Sequence, residues 1–175
     1  MNNRVEIALN EQIFKEGSSS QFYLAMASWA ENNGLNGTAK FLYAQSDEER
    51  FHMLKLIKFV NERGGKALIP SVEQPPKEFE NLVNVFELLL QHELMVTESI
   101  NNVVDVCLQE KDYSTYNFMQ WYVSEQLEEE AQARTILDKL KLIGNDKGGM
   151  YMFDRDLENS AIITNTAAPS PGKGE

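Results

Sequence analysis

Four glutamates stand near the middle of four long apolar stripes in this sequence. The clearest stripe keeps the alternating three- and four-residue spacing of a helix seam, and it runs through Leu42, Gln45, Glu49, His52, Leu56 and Phe59. Glu16, Glu93 and Glu129 interrupt three further stripes of the same kind. Side chains on such seams face the interior of a helix bundle. Because an unpaired buried carboxylate is costly, four of them at one depth predict a compensating positive charge, which a pair of metal ions would supply.

The ligand types in these stripes favour iron. Glu49 and His52 are three residues apart, so one helix face presents both as a Glu-x-x-His pair. Hard carboxylates with one imidazole suit Fe(II) and Fe(III), whereas a structural zinc site would favour thiolates or more histidines. We therefore expect Glu16 and His52 to hold one ion and Glu49 to bridge it to a second.

The second ion would be held by Glu93 and Glu129, with Gln126 as a neutral neighbour. Tyr23, one to two turns beyond Glu16, is most simply a core residue, but it is also placed to hydrogen-bond a ligand or to give an electron. A lone Glu-x-x-His pair and a run of three glutamates are each common on solvated helix faces. The conjunction of four interrupted stripes at equal depth is what indicates a site.

Five helices are predicted to position these residues. Glycine or proline follows the first, second and fourth of these helices, at Gly34, Gly64, Pro70 and Gly144 among others. Gly17 and the three serines after it are poor helix formers, but the first stripe continues in phase through them, so we predict an unbroken helix there. The helices are expected over residues 3–32, 37–63 and 79–109, then from a turn and N-cap at 112–115 to 143, and between 146 and 159.

Connector lengths predict the topology. Links of a few residues make helices one and two, and helices three and four, antiparallel hairpins. The proline-containing link of about 15 residues between helices two and three spans about 50 Å if extended, and a helix of about 28 residues is about 42 Å long. We therefore predict an all-α four-helix bundle with one long crossover and a short fifth helix. Residues 1–160 would form this domain, and residues 161–175 a disordered tail.

Composition narrows the class of function and the compartment. With 27 acidic and 16 basic residues and a net charge of −11, the chain is not expected to bind nucleic acid. No apolar run approaches the roughly 18 residues of a membrane span, and the start of the chain is polar and helical, so we expect neither a membrane partner nor a signal peptide. The single cysteine, Cys107, lies on the third stripe and is interpreted as a core residue, which fits a reducing cytoplasm.

From Leu9 to Tyr151 the chain resembles the bacterial non-haem ferritins. The segments that carry the resemblance are residues 48–52 (Glu-Glu-Arg-Phe-His), His92-Glu93, and residues 117–130, which run Asn-Phe-Met-Gln-Trp-Tyr-Val-Ser-Glu-Gln-Leu-Glu-Glu-Glu. The resemblance implies a ferritin-like fold, assembly of 24 subunits into a hollow shell, and a ferroxidase centre in each subunit. It also implies iron storage and detoxification, with Fe(II) oxidised by O2 or hydrogen peroxide and the ferric product kept as a mineral.

Site residues follow from the same resemblance. The family's first iron site falls on Glu16, Glu49 and His52, and its second on Glu49, Glu93 and Glu129 with Gln126 alongside. A third iron position falls on Glu48, Glu125, Glu128 and Glu129. Tyr23 and Trp121 match aromatic positions near the centre. Gly17 departs from the larger residue expected after the first glutamate, and it is expected to loosen the first helix locally.

Other proteins built on such a bundle match less well. A di-iron oxidase or peroxidase of the rubrerythrin type usually carries a second Glu-x-x-His, but Gln132 stands three residues after Glu129, and there is no cysteine-rich module. A haem-bearing bacterioferritin would have Met where Arg50 follows the bridging glutamate. A DNA-protecting mini-ferritin lacks ligands on helices three and four, so Glu93 and Glu129 count against it. His92, beside the third stripe, is interpreted as structural or surface-facing.

Overall fold

The computed structural model describes the backbone of residues 1–167 and the side chains of residues 1–158. Within this part of the chain all regular structure is helical, as predicted. The five helices are α1 (Asn3–Asn32), α2 (Asn36–Glu62), α3 (Leu82–Gln109), α4 (Tyr113–Ile143) and α5 (Lys147–Ala167). None of these helices combines the length and apolarity that crossing a bilayer requires.

Helices α1 to α4 form the bundle. Tight turns join α1 to α2 and α3 to α4, and the crossover of residues 63–81 joins the two hairpins. Gly34 takes a φ of 75°, which is the left-handed conformation that its position after a helix requires. Helix α1 packs against α2 and α3, α3 packs against α4, and α5 lies against α2 and α4. The predicted topology is confirmed.

A polar layer divides the core into two apolar clusters. One cluster contains Tyr23, Leu42, Leu89 and Ala133, and the other contains Ile13, Leu56, Val96 and Tyr122, among other residues. On every bundle helix the passage from one cluster to the other occurs at the predicted carboxylate. The buried polar residues of this layer are Glu16, Ser19, Ser20, Gln45, Ser46, Glu49, His52, Glu93, Gln126 and Glu129.

Helix α1 is continuous through Gly17 and its serines, as predicted. Ser20 donates a hydrogen bond to the carbonyl of Ser46 (2.8 Å) on α2, and Ser46 donates one in return to the carbonyl of Ser20 (2.7 Å). A Cβ atom at Gly17 would lie 3.0 Å from Met53 Sδ. Glycine therefore allows the Met53 side chain of α2 to pack closely against α1 here, and a local loosening of α1 at Gly17 stays a prediction.

Two helix boundaries differ from those expected by more than one residue. Helix α3 begins at Leu82, not at residue 79, because Asn81 caps it by accepting from Asn84 N (2.9 Å), while Phe79 packs against the bundle before the helix starts. Helix α5 runs to Ala167, past residue 159, and no glycine or proline interrupts the sequence over this stretch. The boundary between the domain and its tail at residue 160 stays a prediction. Residues 168–175 of the expected tail lie outside the described residues.

An aspartate of α5 caps the start of α2. Leu35 precedes α2 and has no side chain able to cap it. Asp154 instead accepts hydrogen bonds from Gly37 N (3.0 Å), Thr38 N (2.7 Å) and Thr38 Oγ1 (2.8 Å). A Cβ atom at Gly37 would lie 1.8 Å from the Asp154 carbonyl oxygen, so only glycine permits this approach. The cap fixes α5 to the end of the bundle, and Phe153 and Leu157 of α5 join the core there.

Candidate metal centre

The first half of the predicted centre lies between α1 and α2. Glu16, Glu49 and His52 are buried, with at most 3% of each residue exposed. His52 Nδ1 is 3.8 Å from Glu16 Oε2 and 4.0 Å from Glu49 Oε1. One ligand atom from each of the three residues lies within 4.8 Å of the others. The three-residue spacing on α2 and the fold of the α1–α2 hairpin therefore bring these residues together as the sequence predicted.

The second half lies between α3 and α4 and is tied to α1. Glu93 is fully buried, and its carboxylate accepts hydrogen bonds from the Tyr23 hydroxyl and from Gln126 Nε2. Gln126 Nε2 also donates to the Glu93 carbonyl (3.1 Å). Glu129 is buried one turn further along α4, with 8% exposed. Tyr23 therefore does bond a predicted ligand, and Gln126 orients that ligand.

Burial and mutual repulsion make this site unfavourable for negative charge. Burial raises the pKa of Glu49 well above its usual range, and repulsion from Glu16 and Glu93 adds to the rise. Burial likewise raises the pKa of Glu93 to about 7, and burial with repulsion from Glu48 raises that of Glu129 to about 9. No lysine or arginine within the described side chains forms an ion pair with any glutamate of this buried centre.

The donor atoms fit a pair of hard cations. Glu16, Glu49 and Glu129 each have a buried Oε2 without a hydrogen-bond partner, and so does His52 at Nε2. Buried polar atoms are nearly always paired, so a group of orphaned acceptors at one level indicates a ligand. Several carboxylates with a single neutral imidazole match the preference of Fe(II) and Fe(III). Burial holds His52 neutral by lowering its pKa to about 4, as a metal ligand requires.

A second acidic group lies at the outer edge of the centre. We call Glu48, His52 and Glu125 the outer group, because one ligand atom from each lies within 4.8 Å of the others. Glu128, which is exposed, and Glu129 line the same cavity of about 100 Å³ together with Glu48 and Glu125. The four glutamates of the third iron position thus share one cavity, and iron binding there stays a prediction. The sequence did not indicate that His52 belongs to both groups.

The structure also shows amides that the predicted ligand set lacks. Gln12 Nε2 donates to Glu16 Oε1 (2.8 Å), and Gln45 Nε2 donates to Glu48 Oε2 (3.1 Å). Both amides therefore orient predicted ligands. Gln12 lies four residues before Glu16, so it shares a face of α1 with Glu16, and this spacing is the signal that would have found it.

Aromatic side chains surround the His52 imidazole and its neighbours. The Trp121 ring stands edge-on to His52 with centroids 5.1 Å apart, and the Tyr122 hydroxyl donates to the His52 carbonyl (2.9 Å).

His92 is part of the packing between α1 and α3. Its Nε2 lies 2.8 Å from Ser19 Oγ, and its ring contacts Phe22, which agrees with a structural role. Cys107 is buried in the core, as expected.

Comparisons with known proteins agree with this architecture. A family model described as a ferritin-like domain matches residues 6–143. The bacterial non-haem ferritin of Campylobacter jejuni is 47% identical over 154 residues, which cover 88% of this chain and 92% of that protein. A probable bacterial non-haem ferritin-like protein of Haemophilus influenzae is 45% identical over 151 residues, which cover 86% and 92%.

Solved structures give the same result. An open pore ferritin from the archaeon Archaeoglobus fulgidus superimposes with a TM-score of 0.89 at 43% identity, covering 90% of this chain and 98% of that one. The predicted resemblance is confirmed. The chain belongs to the ferritin-like family and is a relative of the bacterial non-haem ferritins.

Proposed function

We propose that this protein is a ferroxidase that stores iron: it oxidises Fe(II) with O2 or hydrogen peroxide and keeps the ferric product as a mineral inside a cytoplasmic shell of 24 copies. The observation that carries this proposal is the polar layer. Four buried carboxylates and one neutral imidazole lie at a single level between two apolar clusters, and among the side chains of residues 1–158 no lysine or arginine forms an ion pair with these carboxylates. Such a layer is costly unless cations occupy it.

The residues divide into two positions for substrate Fe(II). Glu16 and His52 would hold one ion, Glu93 and Glu129 the other, and Glu49 would bridge them. Two ferrous ions together supply the two electrons that convert O2 and two protons to hydrogen peroxide, so both electrons reach O2 in one encounter. Five glutamate and histidine ligands also stabilise the higher charge of Fe(III) over that of Fe(II).

Hydrogen bonds would hold Glu93, a ligand of the second iron position, in one orientation while the charge of the iron changes. Tyr23 and Gln126 donate to the Glu93 carboxylate, which leaves its remaining lone pairs for an ion. They stabilise the ionised form of Glu93, and both bonds oppose the rise in its pKa that burial causes. We therefore assign Tyr23 the role of positioning Glu93.

Storage requires assembly, and the surface of the single chain supports it. Ile7 and Leu68 are more than half exposed, and they line a shallow depression between α1 and the crossover together with Phe14. Contiguous apolar surface of this kind is typical of protein interfaces. The size of 24 subunits rests on family membership.

Adding Fe(II) in air to the metal-free protein tests the function. We expect rapid growth of ferric absorbance that continues beyond two irons per chain, and slow growth in a Glu49→Ala, His52→Ala double variant. Glu98→Gln, which removes an exposed carboxylate from α3, is the matched control and should behave as the unsubstituted protein does. Saturation at two irons per chain would instead indicate a di-iron oxidase or peroxidase of the rubrerythrin type. Equal slow rates in all three proteins would refute the site.

A further inference from the structure

A lysine and a tryptophan lie beside the outer group, and the ferroxidase chemistry above does not use them. Glu48, His52 and Lys55 are spaced by four and three residues, so they share one face of α2. Trp121 and Glu125 are spaced by four residues on α4 and share a face of that helix. The two faces meet at the outer group, where His52 contacts the Trp121 ring and approaches Glu125.

The Lys55 ammonium is placed over an aromatic ring. Its Nζ atom is 3.1 Å from the Trp121 ring centroid, which is the geometry of a cation–π interaction. The ammonium forms no ion pair with a described carboxylate. The Trp121 ring that the ammonium covers also stands edge-on to the His52 ring, so the positive charge of Lys55 lies next to the outer group.

The outer group itself has a feature that points to a ligand. His52 is 97% buried and its Nε2 has no hydrogen-bond partner, while a ring nitrogen lies within 4.8 Å of carboxylate oxygens of Glu48 and Glu125. A cation held between the Glu48 and Glu125 carboxylates would lie close to the Lys55 ammonium, because Lys55 is one turn from His52 on the same face of α2. The metal cation and the Lys55 ammonium would therefore repel each other.

We propose that Lys55 is the resident counter-cation of the outer group, and that a metal cation entering between Glu48 and Glu125 displaces the Lys55 ammonium from the face of Trp121. Lys55 thereby weakens binding at the outer group and makes it a position through which cations pass, in contrast to the inner centre. The long flexible stem of lysine allows the ammonium to swing into solvent while its methylene groups stay packed. This inference rests on the proposed function only for the identity of the physiological cation.

Zinc titration of the metal-free protein tests the displacement, because Zn²⁺ is redox-inert and takes carboxylate and imidazole ligands. Trp29→Phe would leave Trp121 as the single tryptophan, so its emission reports a charge near its ring. Calorimetry on the same samples counts the ions, and Glu125→Gln identifies the binding event that belongs to the outer group. Lys55→Met removes the ammonium and keeps the stem. Lys55→Arg keeps the charge, and Lys58→Met removes an exposed charge one turn further along α2.

We expect the outer event to change Trp121 emission differently in the two proteins: in the protein with Lys55 it adds Zn²⁺ and removes the ammonium from the ring, whereas in Lys55→Met it only adds Zn²⁺. Lys55→Met should bind the outer Zn²⁺ about tenfold more tightly, as expected for a solvent-screened charge, whereas Lys55→Arg and Lys58→Met should match the parent within twofold. An outer affinity in Lys55→Met within twofold of the parent, or the same change of Trp121 emission in the parent and in Lys55→Met when the outer ion binds, would overturn the inference. If the parent bound no Zn²⁺ at the inner centre, the result would instead count against the proposed function.

Discussion

Replacing Glu129 with glutamine should stabilise the metal-free protein, and should do so more as the pH rises. Burial and repulsion from Glu48 raise the pKa of Glu129 from 4.5 to about 9. Below pH 4.5 this carboxyl is protonated in both the folded and the unfolded chain, so the substitution changes little. As the pH rises from 4.5 towards 9, the unfolded chain ionises freely, and the folded chain loses the stability associated with its raised pKa.

The size of this stabilisation follows from the difference between the pKa of Glu129 in the folded chain and in the unfolded chain. One unit of pKa difference corresponds to about 1.4 kcal/mol, so the gap between Glu129→Gln and the parent should reach at most about 5 kcal/mol at pH 8 and remain below about 1 kcal/mol at pH 5. For a chain of this length, a change of 1 kcal/mol moves Tm by about 2–4 °C. The expected gap in Tm at pH 8 is therefore on the order of 10 °C.

Scanning calorimetry of chelator-treated protein between pH 5 and pH 8 measures the gap. Glu98→Gln, at an exposed position on α3, is the control and should show no growth of the gap with pH. At pH 8, saturating Zn²⁺ should make the parent more stable than Glu129→Gln. The ionised Glu129 carboxylate can bind the metal ion, and the neutral glutamine that replaces it binds more weakly. A gap of equal size at pH 5 and pH 8, or a less stable Glu129→Gln protein at pH 8, would refute the reasoning.

Three further substitutions test the positioning contacts. Asp154→Ala removes three capping hydrogen bonds and should cost about 2–3 kcal/mol, measured as a lower Tm and faster amide hydrogen exchange in α5. Gly37→Ala places a Cβ atom 1.8 Å from the Asp154 carbonyl and should lower Tm at least as much, whereas Gly148→Ala meets nothing closer than 3.6 Å and should not. Tyr23→Phe removes a bond that lowers the pKa of Glu93, so the midpoint of pH-dependent Zn²⁺ binding should move to higher pH; an unchanged midpoint would contradict this role.

The level of the metal centre was predictable from the sequence because helix periodicity and turn positions together fix depth. Glu16 and His52 are each about equally far from the turn at Gly34, so folding the hairpin sets them side by side, and their atoms are 3.8 Å apart. The same reasoning brings Glu93 to the level of Glu129. The carboxylates that interrupt the four apolar stripes in the sequence form the polar layer between the two apolar clusters.

Contacts that depend on lateral neighbours were not predictable in this way. The stripes report which residues face inward, but they do not report which side chain of one helix meets which side chain of the next. The stripes therefore do not indicate that the Lys55 ammonium lies over Trp121 on α4. The cap that Asp154 gives to α2 depends on where α5 docks, and neither segment shows this in its own sequence.

Anomalous diffraction at the iron edge, from crystals soaked in Fe(II) without O2, would locate the ions directly. We predict one peak bounded by Glu16, Glu49 and His52, and a second bounded by Glu49, Glu93 and Glu129. Peaks confined to the protein surface, or a bundle interior without anomalous density at saturating Fe(II), would contradict the assignment of a di-iron ferroxidase centre to this chain.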